Sequence, residues 1–301
     1  MKAERLFGGP IITPQTDATI GDNINGPTLI RTPEWLPGRL GKYYLYFAHH
    51  IGKHIRLAYS DSLEGPWKVY EPGVLSLTEL PYLDQGERGH IASPEIYIDE
   101  TGRRLIMYYH GKLVLPRPEG NKDVDYDQKT YIAVSEDGLH FIPMNEIIGG
   151  PYLRVFPYKG YFYTLEMSGQ VMRSVNGLTD FEKGPVLFKD WDMRHCTLLL
   201  KGDTLYVFHS IRGTSPESLV CSTVDVSGDW LDWHESPYEL LLKPEKDYEG
   251  GNAPEERSTF GAVFGLHRQL RDPYIYEEDG RYYLLYSVAG ENGIAVAEVF
   301  F

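Results

Sequence analysis

At 301 residues, with a net charge of −14 and 23 tyrosines, the chain has room for a large core and little attraction for polyanions. The acidic balance excludes nucleic acid and an anionic membrane surface as electrostatic partners. Cys196 and Cys221 match no zinc spacing, the N-terminal MKAERLFGGPIITP has no apolar signal core, and no run reaches the ~18 apolar residues of a membrane span. The expectation is a cytoplasmic chain with two free, buried cysteines.

In chain order, residues 1–25 precede the first of several related segments, and the run Arg5–Ile12 is expected to cover an exposed sheet edge in the last one. The segments begin near Gly26, Ser93, Tyr152, His195 and Leu270. Each reads as a short strand, a turn, an aromatic strand, a second turn and an alternating strand, clearest in LRDPYIYEEDGRYYLLYSVAGENGIAVAEV, residues 270–299. A strand-only unit recurring about every 60 residues predicts an all-β, five-bladed propeller with four-stranded blades. One domain, 1–301, is expected, its ring closed by the N-terminal segment. Residues 61–67 and 135–140 read as turns between third and fourth strands. Residues 111–129 and 243–269 read as long loops, either surface excursions or site walls. Asp123, Asp125 and Asp127 alternate, but no Gly-x₅-Glu follows, so they do not make a calcium loop.

A propeller brings the starts of its innermost strands together on the axis, so chemistry is sought there. Aligning those strands places Gly26, Ser93, Tyr152, Arg194 and Asp272 in one slot. Two residues on come Thr28, Glu95, Arg154, Cys196 and Tyr274. Aligning the second strands by their aromatics (LYFAHH, IMYYHG, FYTLEM, LYVFHS, YLLYSV) places His49, His110, Glu166, His209 and Ser287 in a second slot. Three histidines and a glutamate at equivalent positions predict a shared polar cavity. Two carboxylates across a sugar-sized gap, Asp272 and Glu95, suit acid–base cleavage of a glycosidic bond.

Arg271-Asp272-Pro273 followed by DGRYYLLYS, with Ser93-Pro94-Glu95-Ile96, resembles the five-bladed propeller glycosidases. These are the arabinanases and β-xylosidases of glycoside hydrolase family 43, with their invertase/levansucrase and neoagarobiose-hydrolase relatives. The resemblance covers the blade pattern of essentially the whole chain. It implies a base at Asp272 and a tuning carboxylate at Glu95, where the family has Asp. It implies hydrolysis with inversion in an axial funnel. Two departures stand out: Asn25-Gly26-Pro27 replaces the usual Asp-Pro of blade one, and no Glu-Gly-Pro string supplies the acid, since Glu64-Gly65-Pro66 lies in an outer turn. Glu166 is the first choice for the acid, with His195 or a strand-end histidine as the rival.

The substrate-contacting set is then Asn25, His49, His90, His110, Arg154, Arg194, His209 and Arg271, around a carbohydrate. Trp35 and Trp191 are placed to stack on sugar. Several cavity arginines suggest an anionic sugar, or a phosphate in a glycoside phosphorylase. A non-catalytic carbohydrate-binding propeller is a third reading. No cofactor is required; a divalent ion on His49, His110 and His209 is a fourth reading.

Overall fold

The computed structural model describes residues 1–87, 89–113 and 128–301. Its strands form five four-stranded antiparallel sheets. Strand β1 (Lys2–Arg5) belongs to the last sheet. Blade one is β2 (Asn25–Arg31), β3 (Tyr43–Ala48), β4 (His54–Ser60) and β5 (Lys68–Ser76). Blade two is β6 (Ile91–Asp99), β7 (Arg104–Lys112), β8 (Gln128–Ser135) and β9 (Ile142–Gly149). Blade three is β10 (Arg154–Tyr158), β11 (Tyr161–Leu165), β12 (Gln170–Ser174) and β13 (Glu182–Val186). Blade four is β14 (Met193–Lys201), β15 (Thr204–Ile211), β16 (Leu219–Asp225) and β17 (Glu239–Leu242). Blade five is β18 (Arg271–Glu278), β19 (Arg281–Ser287) and β20 (Ile294–Phe300), with β1 outermost. The expected propeller, its blade count and its ring closure are all present. The turns at 61–67 and 135–140 join third to fourth strands as expected, whereas Asp123, Asp125 and Asp127 lie outside the described residues.

Burial explains why the sheets stack. Each pair of neighbouring blades shares an apolar cluster. Tyr44, Tyr46, Met107 and Tyr109 join blades one and two; Ile106, Tyr108 and Met172 join two and three; Phe156, Tyr163, Val207 and Trp233 join three and four. Leu199, Phe208, Leu284 and Tyr286 join four and five; Leu29, Phe47, Leu285 and Val296 close the ring from five to one. Several tyrosines serve here because the ring is buried while the hydroxyl reaches a partner. Tyr46 and Tyr108 donate to the carbonyls of Gly138 and Gly177 in the next blade's outer turn, at 3.0 and 2.8 Å.

The closing strand is Lys2–Arg5, which precedes the expected run Arg5–Ile12 and shares only Arg5 with it. Lys2–Arg5 pairs with Phe300–Ala297, Leu6 N–H donates to Val296 O at 2.9 Å, and the segment meets blade five again at the Ile12–Ile294 and Ile24–Asn292 bridges. The seam is tied by Glu249, whose side chain is fully buried. It accepts from Arg5 Nε at 2.7 Å, Tyr286 Oη at 2.9 Å and the backbone N–H of Glu245 and Lys246 at 2.9 and 3.0 Å. Glu249→Ala leaves Arg5 only Lys243 O and Glu245 and leaves the other donors to Glu249 without this acceptor. We expect a loss of about 3 kcal/mol, read as a lower urea midpoint at unchanged m-value.

Candidate active site on the propeller axis

The innermost strands reach the axis through one recurrent device. In β2, β6, β14 and β18 one extra residue shifts the register by one just before Thr28, Glu95, Cys196 and Tyr274. Gly26, Ser93 and Asp272 take left-handed backbone conformations at these slips, with φ of 58°, 50° and 48°, and Tyr152 does so just before β10, with φ of 57°. These bulges turn the first-slot side chains toward the axis. Gly26 is required by crowding as well as by φ: a Cβ there would lie 3.0 Å from Ser93 Cα. That accounts for the glycine where the resemblance called for aspartate.

Asp272 and His195, two separate candidates from the sequence, come together. His195 Nδ1 is in direct contact with Asp272 Oδ1, and Ser287 donates to Asp272 Oδ2 at 3.3 Å. Asp272 is only 1% exposed. His195 carries Tyr152 stacked on its ring, centroids 3.6 Å apart, and Tyr152 in turn packs on His110 at 4.3 Å. His90 continues the series, 5.8 Å from His110 and 6.2 Å from His50. Burial, reinforced by Arg194, pushes the His195 pKa well below the ordinary histidine value. Burial does the same to His110, helped by His90. His195 Nδ1 faces the carboxylate, and Nε2 is the ring nitrogen left to other partners.

A charged relay frames the cluster. Arg194 Nε donates to Glu217 Oε1 at 2.7 Å, and Arg271 sits between Glu217, at 3.5 Å, and Glu291, at 2.9 Å. Glu291 also binds His50 Nδ1 at 3.3 Å and Asn23 Nδ2 at 2.6 Å. Asn25 joins through Asn23 Oδ1 at 3.3 Å. Burial opposes ionisation of Glu291, but His50 and Arg271 outweigh it and bring its pKa down to about 2. His50, Glu217, Glu291 and Asn23 were not picked out from the sequence. His50 had a signal, the doubled histidine of Ala48-His49-His50, of which the wrong member was chosen.

His50, Tyr152, Arg194, His195, Arg212, Phe260 and Gly261 line a narrow, partly enclosed cavity of ≈ 20 Å³, with Gln128, Met167 and Met193. That is room for about one water. Its roof is the loop before blade five, so the loop is a site wall. Arg194 Nη2 donates to Thr259 O at 2.6 Å, Arg271 Nη1 to Gly261 O at 3.2 Å and Asn23 Nδ2 to Val263 O at 3.1 Å.

The structure corrects several assignments. Glu95 and Arg154 do not face the cavity. They pair at 2.6 Å, two residues further along their strands, where Arg154 also donates to Pro94 O and Cys196 O. Burial outweighs Arg154 and raises the Glu95 pKa. Glu166 holds a turn, accepting from Gly150 N–H and from the Ser168 hydroxyl at 2.6 Å. His209 pairs in register with Cys196, the level of Tyr46 and Tyr108, and packs on Phe188 and Trp191 between blades three and four. Burial lowers its pKa to about 4. His49 lies beside Asp22 and Phe264, outside the cavity lining, with its pKa lowered to about 4 by burial and Arg56. His49, His110 and His209 therefore cannot share an ion, and among the described residues no group of three His, Cys, Asp or Glu converges as a metal site. Trp191 belongs to the core between blades, and Trp35 donates to Glu100 at 2.6 Å.

Because Glu166 closes a turn, Glu166→Gln is expected to lower stability by about 1–2 kcal/mol and to slow substrates with good and poor leaving groups alike. Parallel melting curves and kinetics on both substrate types test this.

No family model matches the sequence. Among solved structures, the chain is similar to a family 43 β-xylosidase/α-arabinofuranosidase from a compost microbial metagenome, in complex with xylotriose. The TM-score is 0.66 at 13% identity, over 99% of this chain and 95% of that one. An N-acetylgalactosamine deacetylase from F. plautii, in complex with blood group B trisaccharide, superposes with a TM-score of 0.61 at 12% identity, over 99% and 96% of the two chains. Likeness at this level establishes the fold, and one fold hosts more than one chemistry. In sequence, the chain is 36% identical to the uncharacterized protein R118 of Acanthamoeba polyphaga mimivirus, over 92% of this chain and 83% of R118. The chain thus belongs to the family of the mimivirus protein R118, and it carries the five-bladed propeller fold of the family 43 glycoside hydrolases.

Proposed function

We propose that the protein is a glycosidase that hydrolyses a neutral carbohydrate at the axial cavity, with water activated by the Asp272–His195 pair. The observation that carries this reading is the direct contact of Asp272 with His195 at the cavity wall. A buried carboxylate that holds Nδ1 of a neutral imidazole fixes its tautomer and turns Nε2 into a base. The base role thus passes from Asp272 to His195, with Asp272 positioning it. Asp272 has both oxygens engaged and is not a cavity-lining residue, so it is poorly placed to attack an anomeric carbon. Single displacement by water, hence inversion, follows.

The charge pattern favours a neutral substrate. Arg194 and Arg271 are matched by Glu217 and Glu291, Arg154 by Glu95, and Arg212 by Asp192 at 2.6 Å. This weakens the readings with an anionic sugar or a phosphorylase. A sugar ring enters only if the segment carrying Thr259 to Val263 lifts from the arginines, since ligand pockets run to about 300 Å³ or more.

Wild-type protein incubated with neutral oligosaccharides, xylo- and arabino-oligosaccharides first, is expected to release reducing sugar without added phosphate. The first-formed anomer, observed by proton NMR, is expected to be inverted. Binding without turnover would support a non-catalytic propeller instead.

A further inference from the structure

Two imidazole–carboxylate pairs meet in one cavity. His195 with Asp272 forms one, and His50 with Glu291 forms the other; both histidines line the same space. The first pair supplies the base, and the second has no role in that account. We propose that His50, held by Glu291, is the general acid that protonates the departing glycosidic oxygen. The assignment rests on the glycosidase reading above.

His50 is fixed at two points by the same pair of side chains. Its ring Nδ1 lies 3.3 Å from Glu291 Oε1, and its backbone N–H donates to Asn23 Oδ1 at 2.8 Å. Asn23 and Glu291 are themselves joined at 2.6 Å, and both are buried. With Nδ1 turned to Glu291, Nε2 is the nitrogen that can face substrate. The other charged or titratable neighbours include Arg271 beyond Glu291, the His90 ring at 6.2 Å, and His49, His110 and His195, with which His50 interacts electrostatically. The rival carboxyl groups are otherwise engaged: Glu166 closes its turn, and Glu95 is bound to Arg154.

The step balances with water as the only co-reactant. The glycosidic C–O bond breaks, and its electron pair stays on the leaving oxygen, which takes the Nε2 proton of His50. The water oxygen bonds to the anomeric carbon and passes its proton to His195 Nε2. Exchange with solvent then returns a proton to His50 and removes one from His195.

The test compares full-length wild type, His50→Gln and His50→Asn on a 4-nitrophenyl glycoside and the matching methyl glycoside of a sugar that the wild type cleaves. Only the methyl leaving group needs the proton. The methyl glycoside is expected to slow by about 10²–10⁴-fold and the nitrophenyl glycoside by tenfold or less, with the alkaline limb of the pH–rate profile lost in both variants. Circular dichroism melts confirm that the compared variants are folded. Should both unfold, the leaving-group dependence of wild type on either side of its alkaline limb gives the same reading: it must steepen as the acid deprotonates. Equal slowing of both substrates with the alkaline limb retained overturns the assignment alone. So does leaving-group selectivity that appears in Glu166→Gln. A wild type that cleaves no glycoside removes the glycosidase reading, and the assignment with it.

Discussion

Asp272→Asn is expected to lower kcat by about 10³–10⁴-fold while leaving the fold and its urea midpoint near wild type. The size follows from what Asp272 does for its neighbour. In the proposed mechanism the carboxylate accepts the Nδ1 proton of His195 and leaves Nε2 as the base beside the cavity. An asparagine presents either an amide N–H, which demands the opposite tautomer, or a weaker, uncharged acceptor. Either way Nε2 loses its basicity toward water. The backbone is spared because Asp272 sits at φ 48°, a region that asparagine tolerates as well as aspartate. Asp272→Ala would add strain there and confound the result. Steady-state kinetics with parallel circular dichroism checks the prediction, and a drop of less than tenfold would place the base elsewhere.

Arg154→Met is expected to cost about 3–5 kcal/mol of stability at neutral pH. Arg154 is 2% exposed and closes the axis beneath the cavity, bonded to Glu95, Pro94 O and Cys196 O. Without it, Glu95 is a buried carboxyl group with no cation, its pKa pushed further above the already raised value. A carboxyl whose folded pKa lies above its unfolded value stabilises the fold at low pH and loses that contribution as pH rises. The variant's deficit should therefore shrink on acidification and grow toward neutrality. The double variant Glu95→Leu/Arg154→Met removes both charges and should recover most of the loss. Urea denaturation of the four species across pH makes the measurement. Additive single losses in the double variant would show that the pair does not act as a unit.

The architecture was legible because its signals are local and repeated. Glu278-Asp279-Gly280 and its counterparts mark turns, and aromatic runs mark the second strands. The first axial slot was legible for the same reason: proline and glycine accompany the bulges, and Gly26, Ser93, Tyr152 and Asp272 share their positive φ. The second slot was not. Second strands end at different places, so an aromatic alignment slips by one or two residues, and a one-residue slip reverses the face of a strand. His110 and Ser287 pair with Ala92 and Arg271, and the residue at that level in blade one is Ala48, facing Asn25. His49 lies one residue beyond that level, while His209 is two short of its counterpart Ile211 and so enters the packing between blades. The relay from Arg194 through Glu217, Arg271 and Glu291 to His50 left no sequence pattern. It joins groups as far as 241 residues apart that meet only where the ring closes.

The most direct test of hydrolysis at the axial pair is cleavage of a neutral oligosaccharide in ¹⁸O-labelled water, followed by mass spectrometry. The label should appear at the anomeric carbon of the released glycone, at a rate that falls about 10³-fold or more in Asp272→Asn. Unlabelled product formed only with added phosphate, or labelled product formed at the wild-type rate by Asp272→Asn, would contradict it.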